Sequence, residues 1–394
     1  MSAETILITN GETDGGLATA RSFVARGYRV IAVSSRGLPL GLRSRYSATS
    51  FVLRETNQAE FEAGLLDLLD RVRPDFFLPL SSRSTFVASR HRESLEGVTK
   101  ANVPPLDGFL AAYHKDICAA ECRQLGIPCP TSYSLEQAKA VLGRDRDTLL
   151  VVKPDCDAGG ARGVSYVQDR EKLAVAVREC TTRFRGVLIQ EYVPGPVEAM
   201  KTVVVVFSQD SQLVAAFTTQ KLVQWPATGG ATAVSISTAD ERLVKLVLPF
   251  FRKWKWRGPA EVELKTDART GQDMVIEINP RFPGYLRFPL ECGLDLPAIV
   301  TGVAAPGKVI PLPFPSYRVS IEYHNPLLIF WSFLSFLRSG SQRSGERLAG
   351  MREVMKALPV ALHNLRDPLS LLGRVLAQFQ QTPEVPLFLV GRNS

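Results

Sequence analysis

The sequence predicts a mixed α/β and α+β protein: a doubly wound unit at the N-terminus, a larger α+β region after it, and a partly helical C-terminal extension. Three observations carry this. Over residues 4–80 apolar strands alternate with helix-period stretches, the pattern of a sheet wound with helices. Over residues 149–279 short β-branched runs follow one another across turn-rich links. From residue 327 an uncharged apolar run is followed by helix-spaced basic residues.

Residues 4–9 form an apolar strand, then Asn10-Gly11-Glu12-Thr13-Asp14-Gly15-Gly16, then a helical stretch over 17–26 closed by Gly27. Residues 28–34 make the next strand. A loop of this kind between strand and helix can wrap an anion or polar substrate at the helix N-terminus. Ser34-Ser35-Arg36 ends the second strand, where an NADP 2′-phosphate could be held, yet the loop does not spell G-x-G-x-x-G. A helix over 59–72 stops before Pro74, and the strand over 75–80 delivers Ser81, Ser82 and Arg83 to its C-terminal end. Open α/β sheets bind ligands there, so these three are candidate contacts for an anionic substrate. A helix cap beside a solvated Arg explains them equally well.

Residues 102–105 read as a linker, and 109–124 as one helix carrying Lys115. A strand over 149–152 delivers Lys153 to a glycine-rich loop containing Gly159, Gly160 and Gly163, whose N–H groups can approach phosphates. No G-K-[ST] follows, so it is not a Walker A loop. The strand ending at Glu191-Tyr192-Val193 stops at Pro194, where its backbone offers the donor and acceptor order an adenine edge requires; Glu198 just beyond would suit ribose hydroxyls. Residues 221–232, rich in small and turn residues, have the composition of a flap or of an ordinary surface loop.

The strands over 260–264 and 275–278 flank a turn-rich segment and predict a hairpin. Alternation puts Glu277, Asn279 and Arg281 on one face, with Ile276 and Ile278 on the other. If Glu263 and Glu277 oppose each other across the hairpin, two carboxylates form a hard oxygen site suited to Mg²⁺ with nucleotide phosphates, and an adjacent Arg meets the phosphate.

Taken in order, Lys115, Lys153 before its glycine loop, the hinge 191–193, Glu198, Glu263 and Glu277-x-Asn279-x-Arg281 closely resemble the ATP-grasp family of ligases over roughly residues 1–310. The resemblance implies an ATP-grasp fold, with two α+β lobes clamping ATP, preceded by a Rossmann-like domain. It implies that Lys115, Lys153 and the loop glycines hold phosphates, that Glu191, Tyr192 and Val193 frame adenine, and that Glu198 holds ribose. Lys221 would reach the nucleotide, and Glu263, Glu277 and Asn279 would ligate Mg²⁺ or Mn²⁺. Arg281, with Lys221, would stabilise the transferred phosphoryl group. The implied reaction activates a carboxylate as an acyl phosphate and joins it to an amine in an amide or peptide bond, with an amino-acid-like substrate, releasing ADP and phosphate. Arg287, just past the metal strand, is a candidate for orienting a substrate carboxylate, with a structural ion pair as the equal alternative.

The implied division is a Rossmann-like domain at 1–105, an ATP-grasp domain at 106–312 (small lobe about 125–192, large lobe about 193–312) and a mostly helical extension at 313–394. Residues 317–323 read as an extra strand. The apolar run 327–337 falls short of the roughly 20 residues that span a bilayer. With the basic positions up to Lys356 it suits packing on the core, a homodimer interface or contact with an anionic membrane surface. Residues 360–380 read as helical.

Composition narrows the alternatives. A 45% hydrophobic and 22% charged chain of 394 residues is an ordinary globular one with room for two or three cores. The net charge of +8 is dispersed, without an RNP, zinc-finger or homeodomain pattern, so no nucleic-acid partner is expected. Six cysteines without a C-x-x-C pair and four scattered histidines fit reduced thiols and no zinc site, and no signal peptide is read; a cytoplasmic protein is expected. Two other readings stand beside the ligase: an NADP-dependent oxidoreductase using the first domain, and an ATP-binding regulatory protein without catalysis.

Overall fold

A computed structural model describes residues 3–34, 44–53, 57–144, 147–156, 162–184, 186–225, 230–304, 310–326, 328–329 and 355–356. Four parallel strands, β1 (Thr5–Thr9), β2 (Arg29–Ser34), β3 (Thr49–Val52) and β4 (Phe76–Leu78), open the chain in the order β3-β2-β1-β4. Both faces of this sheet are apolar, as parallel sheets require. Ile6, Ile8, Val30 and Ala32 pack on α1 (Asp14–Ala25), while Leu7, Ile31 and Val33 pack on α2 (Gln58–Val72) and α3 (Ser82–Arg90). The chain leaves β1 towards β2 and β3 and returns to β4 on the other side of β1, so the β1/β4 boundary is a topological switch point.

After α4 (Arg92–Leu95) come α5 (Leu106–Tyr113) and α6 (Lys115–Gln124), two helices where the sequence predicts one. His114 between them is extended, at φ −83° and ψ 111°, and the Lys115 N–H donates to the Asp155 carbonyl at 2.5 Å rather than continuing the helix. A tertiary hydrogen bond thus sets the break, and Lys115 opens a helix instead of lying within one.

A small antiparallel sheet, β5 (Ser132–Tyr133), β6 (Leu150–Pro154), β7 (Ser165–Val167) and β8 (Val187–Glu191), has the order β5-β8-β6-β7 and is covered by α7 (Leu135–Leu142) and α8 (Arg170–Arg183). Its core of Leu150, Val152, Leu173 and Ile189 is its own.

The large sheet is also antiparallel, in the order β13-β12-β9-β10-β11-β14, with β9 (Met200–Phe207), β10 (Leu213–Trp225), β11 (Ala231–Thr238), β12 (Gly258–Thr266), β13 (Asp273–Asn279) and β14 (Glu322–His324). Val203 and Val205 face α9 (Glu241–Lys253). Val204, Val206 and Phe217 on the opposite face share one core with β1, α1, α10 (Arg287–Glu291) and α11 (Leu296–Ala304).

Three expectations change. Most of the predicted flap is strand, since β10 runs to Trp225 and β11 begins at Ala231; residues 226–229 lie outside the described ones. The strand expected over 317–323 is confined to β14, paired with β11. Glu263 pairs with Glu277 but Leu264 pairs with Val275, which leaves Ile276 bulged out of the ladder. The bulge turns Val275, not Ile276, into the core beside Ile278. Of the run 327–337, Leu328 and Ile329 are described, and Ile329 is buried against Ala233 and Val234; residues 360–380 lie outside. No described helix is long and apolar enough to cross a membrane. All six cysteines are free thiols, five of them buried.

Candidate active site

A cavity of about 1000 Å³ lies where the three sheets meet. Its floor is the polar face of β12 and β13. Alternation along β12 sends Ala260, Val262 and Leu264 into the core and Glu261, Glu263 and Lys265 into the cavity. Glu263 lies directly opposite Glu277, and Glu261 opposite Asn279. The Asn279 amide donates to Glu261 at 3.4 Å and to Glu277 at 3.3 Å. Arg281 Nη1 lies 3.2 Å from Glu261, and its Nη2 donates to Asn279 Oδ1 at 3.3 Å.

Three lysines reach this floor from three elements. Lys115, the first residue of α6, lies 2.9 Å from Glu277 and donates to the Cys156 carbonyl at 3.1 Å. Lys153, near the end of β6, is only 8% exposed. Lys221 on β10 lies 4.0 Å from Glu263 and donates to the Gly230 carbonyl at 3.2 Å.

The crowding separates the ionisation of these groups. Burial, with the Lys115 charge adding to it, pulls the Lys153 ammonium down to about 8. Burial pushes Glu263 up to about 7 against the pull of Lys221, with Glu277 and Glu261 adding repulsion, and burial also raises Glu261. Burial opposes ionisation of Glu277 too, but Lys115 and Lys153 win and hold it at about 2. Three carboxylates on one polar face, one of them pushed up to about 7 by burial with its acidic neighbours adding to it, are a donor set that a hard divalent cation would relieve.

At the hinge, Glu191, Tyr192 and Val193 line the cavity. The Glu191 N–H donates to the Thr131 carbonyl at 2.9 Å and that of Tyr192 to the Leu149 carbonyl at 3.0 Å. Glu191 Oε1 accepts from the Thr131 N–H at 3.1 Å. The Tyr192 ring meets Tyr166 edge-on at 5.7 Å, beneath the Lys265 ammonium. Gly163 has φ +73°, and a Cβ there would meet Phe184 at 2.5 Å, so only glycine fits. Gly159 and Gly160 lie outside the described residues.

Other predicted residues are placed differently. Glu198 is exposed in a short 3₁₀ turn, Val197–Ala199, whose neighbour Val197 lines the cavity in its stead. Ser81 and Ser82 line the cavity, and Ser81 caps α3. Arg83 does not line it; its guanidinium donates to Gln58 at 3.0 Å and to the Asn57 carbonyl at 2.6 Å and stacks on Phe61. Arg287 is also turned away, bridging Asp14 at 3.0 Å and Glu291 at 2.6 Å and donating to the His324 carbonyl. Ser35 and Arg36 of the NADP reading lie outside the described residues. Sequence reasoning missed Glu261, whose position two residues before Glu263 on the same strand face was the available signal. It also missed Arg162 and Tyr285, which line the cavity, and His114, Asp116 and Asp155, whose ligand-type atoms lie within 4.8 Å of one another beside Lys115.

Residues 113–285 match the family model of the ATP-grasp domain. No curated protein matches the chain by sequence. Among solved structures, the biotin carboxylase domain of Hydrogenobacter thermophilus 2-oxoglutarate carboxylase, in complex with MgADP, ADP and bicarbonate, superposes with a TM-score of 0.64 at 15% identity, covering 82% of this chain and 74% of that one. An L-amino acid ligase from Bacillus licheniformis gives 0.58 at 16% identity over 79% and 78% of the two chains. Carboxyaminoimidazole ribonucleotide synthase from Aspergillus clavatus, complexed with ATP, gives 0.61 at 14% over 82% and 81%. At such identities the likeness is one of fold. The cleft between two antiparallel sheets, the cavity-facing acidic hairpin and the match over residues 113–285 together show an ATP-grasp fold.

Proposed function

We propose that the chain is an ADP-forming, Mg²⁺-dependent ligase that activates a carboxylate as an acyl phosphate and joins it to an amine. The observation that carries this reading is the direct opposition of Glu263 and Glu277 on the floor of a cavity that Lys115, Lys153, Lys221 and Arg281 also line. In this reading residues 1–105 form a Rossmann-like domain, residues 106–312 the two ATP-grasp lobes and residues 313–394 an extension. A cytoplasmic setting and a homodimer belong to the same proposal.

The hinge holds adenine between Val193, whose backbone supplies the donor, and the Tyr192 and Tyr166 rings. Lys153 and Lys115 bind phosphate oxygens, and Gly163 lets the loop backbone come close to them. Glu263, Glu277 and Asn279, backed by Glu261, hold the cation, which when bound neutralises phosphate charge and supplies Lewis acidity. A substrate carboxylate oxygen attacks the γ-phosphorus of ATP, and ADP departs. Arg281 and Lys221 face the charge that spreads over the transferring oxygens. The amine nitrogen then attacks the activated carbonyl, phosphate leaves with the bonding pair, and the nitrogen gives up a proton. No protein nucleophile is required.

The test is ATP-dependent phosphate release, screened across carboxylates and amines with wild-type protein and Glu277→Gln. Release that needs both substrates and vanishes in the variant supports the reading. A wild-type protein that neither binds MgATP nor releases phosphate with any pair ends it.

A further inference from the structure

We infer that Lys265 reads the ribose of the bound nucleotide: its ammonium donates to a sugar hydroxyl oxygen, a role that the sequence resemblance gives to Glu198. The inference rests on the nucleotide half of the ligase reading and adds a binding residue to it.

The position follows from the strand. Lys265 shares the cavity face of β12 with Glu261 and Glu263 and lies two residues past Glu263, about 7 Å along the strand. On β9 the residue paired with Glu263 is Thr202 and the one paired with Lys265 is Met200, and both line the cavity. The step from Glu263 to Lys265 runs from the acidic pair towards the hinge, where the Lys265 ammonium stands 4.8 Å from the centre of the Tyr192 ring. A nucleotide with its phosphates at the cation and its base at the hinge has its sugar between them, alongside Lys265.

The hinge turn is built against this side chain. Gly195 sits at φ +145°, and a Cβ on it would stand 3.1 Å from both Ala199 and the Thr266 carbonyl and 3.7 Å from Lys265 Cε. The turn is therefore pressed onto the end of β12. It is also tied to β10, where the Gln220 amide donates to the Glu198 carbonyl at 2.8 Å. The Glu198 side chain is exposed and does not line the cavity, so the turn offers the sugar no carboxylate and leaves Lys265 at its edge.

The half-buried ammonium has donors to spare. Among the described residues it makes no hydrogen bond and no ion pair, and the nearby Asp267 carboxylate is fully buried and engaged by Arg269 at 2.6 Å. The Tyr192 ring face attracts its charge but leaves its N–H groups without an oxygen acceptor. Burial pulls this lysine below its ordinary value against the pull of Asp267, so an acceptor arriving beside it meets a poorly solvated cation. Lys115, Lys153, Lys221 and Arg281 gather at the acidic pair, where phosphate charge belongs, and Lys265 stands apart from them on the hinge side. There a nucleotide presents neutral sugar oxygens, which an ammonium, having donors only, can meet.

The test is calorimetric binding of ATP and of 2′,3′-dideoxy-ATP, each with Mg²⁺, to the full chain and to Lys265→Met and Glu198→Gln. Methionine keeps an unbranched apolar stem and removes the donor. The wild type should bind the dideoxy nucleotide about tenfold or more weakly than ATP, the loss expected for a hydrogen bond to a charged group. Lys265→Met should weaken ATP by a similar factor, leave dideoxy-ATP unchanged and so bind the two equally, while Glu198→Gln should bind both as the wild type does. Equal binding of the two nucleotides by the wild type overturns the inference without recourse to a variant. So does a preference for ATP that survives in Lys265→Met, an equal loss for both nucleotides in that variant, as a phosphate or base contact would give, or a preference that Glu198→Gln abolishes. Each of those results leaves the ligase reading standing, whereas a wild type that binds neither nucleotide ends that reading itself.

Discussion

Raising the pH should loosen the grip on nucleotide while the fold gains stability from the same group, Lys153. In the free protein, burial and the nearby Lys115 charge set its ammonium at about 8 against an ordinary 10.5, a penalty on the charged form of about 3 kcal/mol. ATP phosphates beside it reverse that penalty, so the lysine must be protonated to bind them. Its protonated fraction falls from about one half at pH 8 to about one tenth at pH 9, and affinity for metal-free ATP should fall about fivefold over that step. The sign for stability is opposite. The unfolded chain holds the Lys153 proton more tightly than the folded one between about 8 and 10.5, so this group's contribution to stability grows as pH rises through that window. The assay is calorimetric ATP affinity in the presence of EDTA from about pH 6.5 to 9.5, with Lys153→Met and Lys153→Arg alongside. Lys153→Met should bind weakly and lose the alkaline slope, and Lys153→Arg should bind without it because its guanidinium stays charged. A flat affinity between pH 8 and 9, or an undiminished slope in Lys153→Met, would refute the reasoning.

Other expectations follow from the same geometry. Glu277→Gln should weaken Mg²⁺ binding by roughly a hundredfold and bring phosphate release to background. Wild-type release in that variant would remove Glu277 from the metal site. Because Glu263 titrates at about 7, Mg²⁺-dependent ATP binding should strengthen as pH rises through 7. Glu263→Gln should erase that acid limb while leaving the Lys153 limb in place. Arg287→Ala should cost roughly 3 kcal/mol of stability by leaving Asp14 and Glu291 without their shared cation; denaturant melts with unchanged midpoints would contradict this. Gly258→Ala should cost more than about 1 kcal/mol, since Gly258 has φ +72° and an added Cβ would stand 2.2 Å from the Asn102 carbonyl.

What the chain betrays in one dimension is periodicity, and the acidic hairpin was legible for that reason. Period-two alternation predicted that Glu277 and Asn279 share a face, and their partners Glu263 and Glu261 oppose them in the ladder. The bulge at Ile276 was not legible, because it is a register event between two strands rather than a property of either. The break at His114 was invisible for a related reason. No Gly or Pro marks it, and its cause is a hydrogen bond from Lys115 to Asp155, forty residues away in sequence. Arg83 and Arg287 show the limit for isolated charges: each reads as a ligand until its partners, Gln58 and Asn57 for one and Asp14 and Glu291 for the other, come into view.

The core shared by β1, α1 and the inner face of the large sheet has a consequence for anyone who cuts this gene. A fragment trimmed to residues 113–285 would keep the acidic hairpin and its lysines but strip Val204, Val206 and Phe217 of their apolar cover. Those side chains would then face water as a greasy slab, and the excised piece should clump rather than fold. The small β5-β8-β6-β7 sheet keeps its buried side chains in a core of its own and would lose none of that cover.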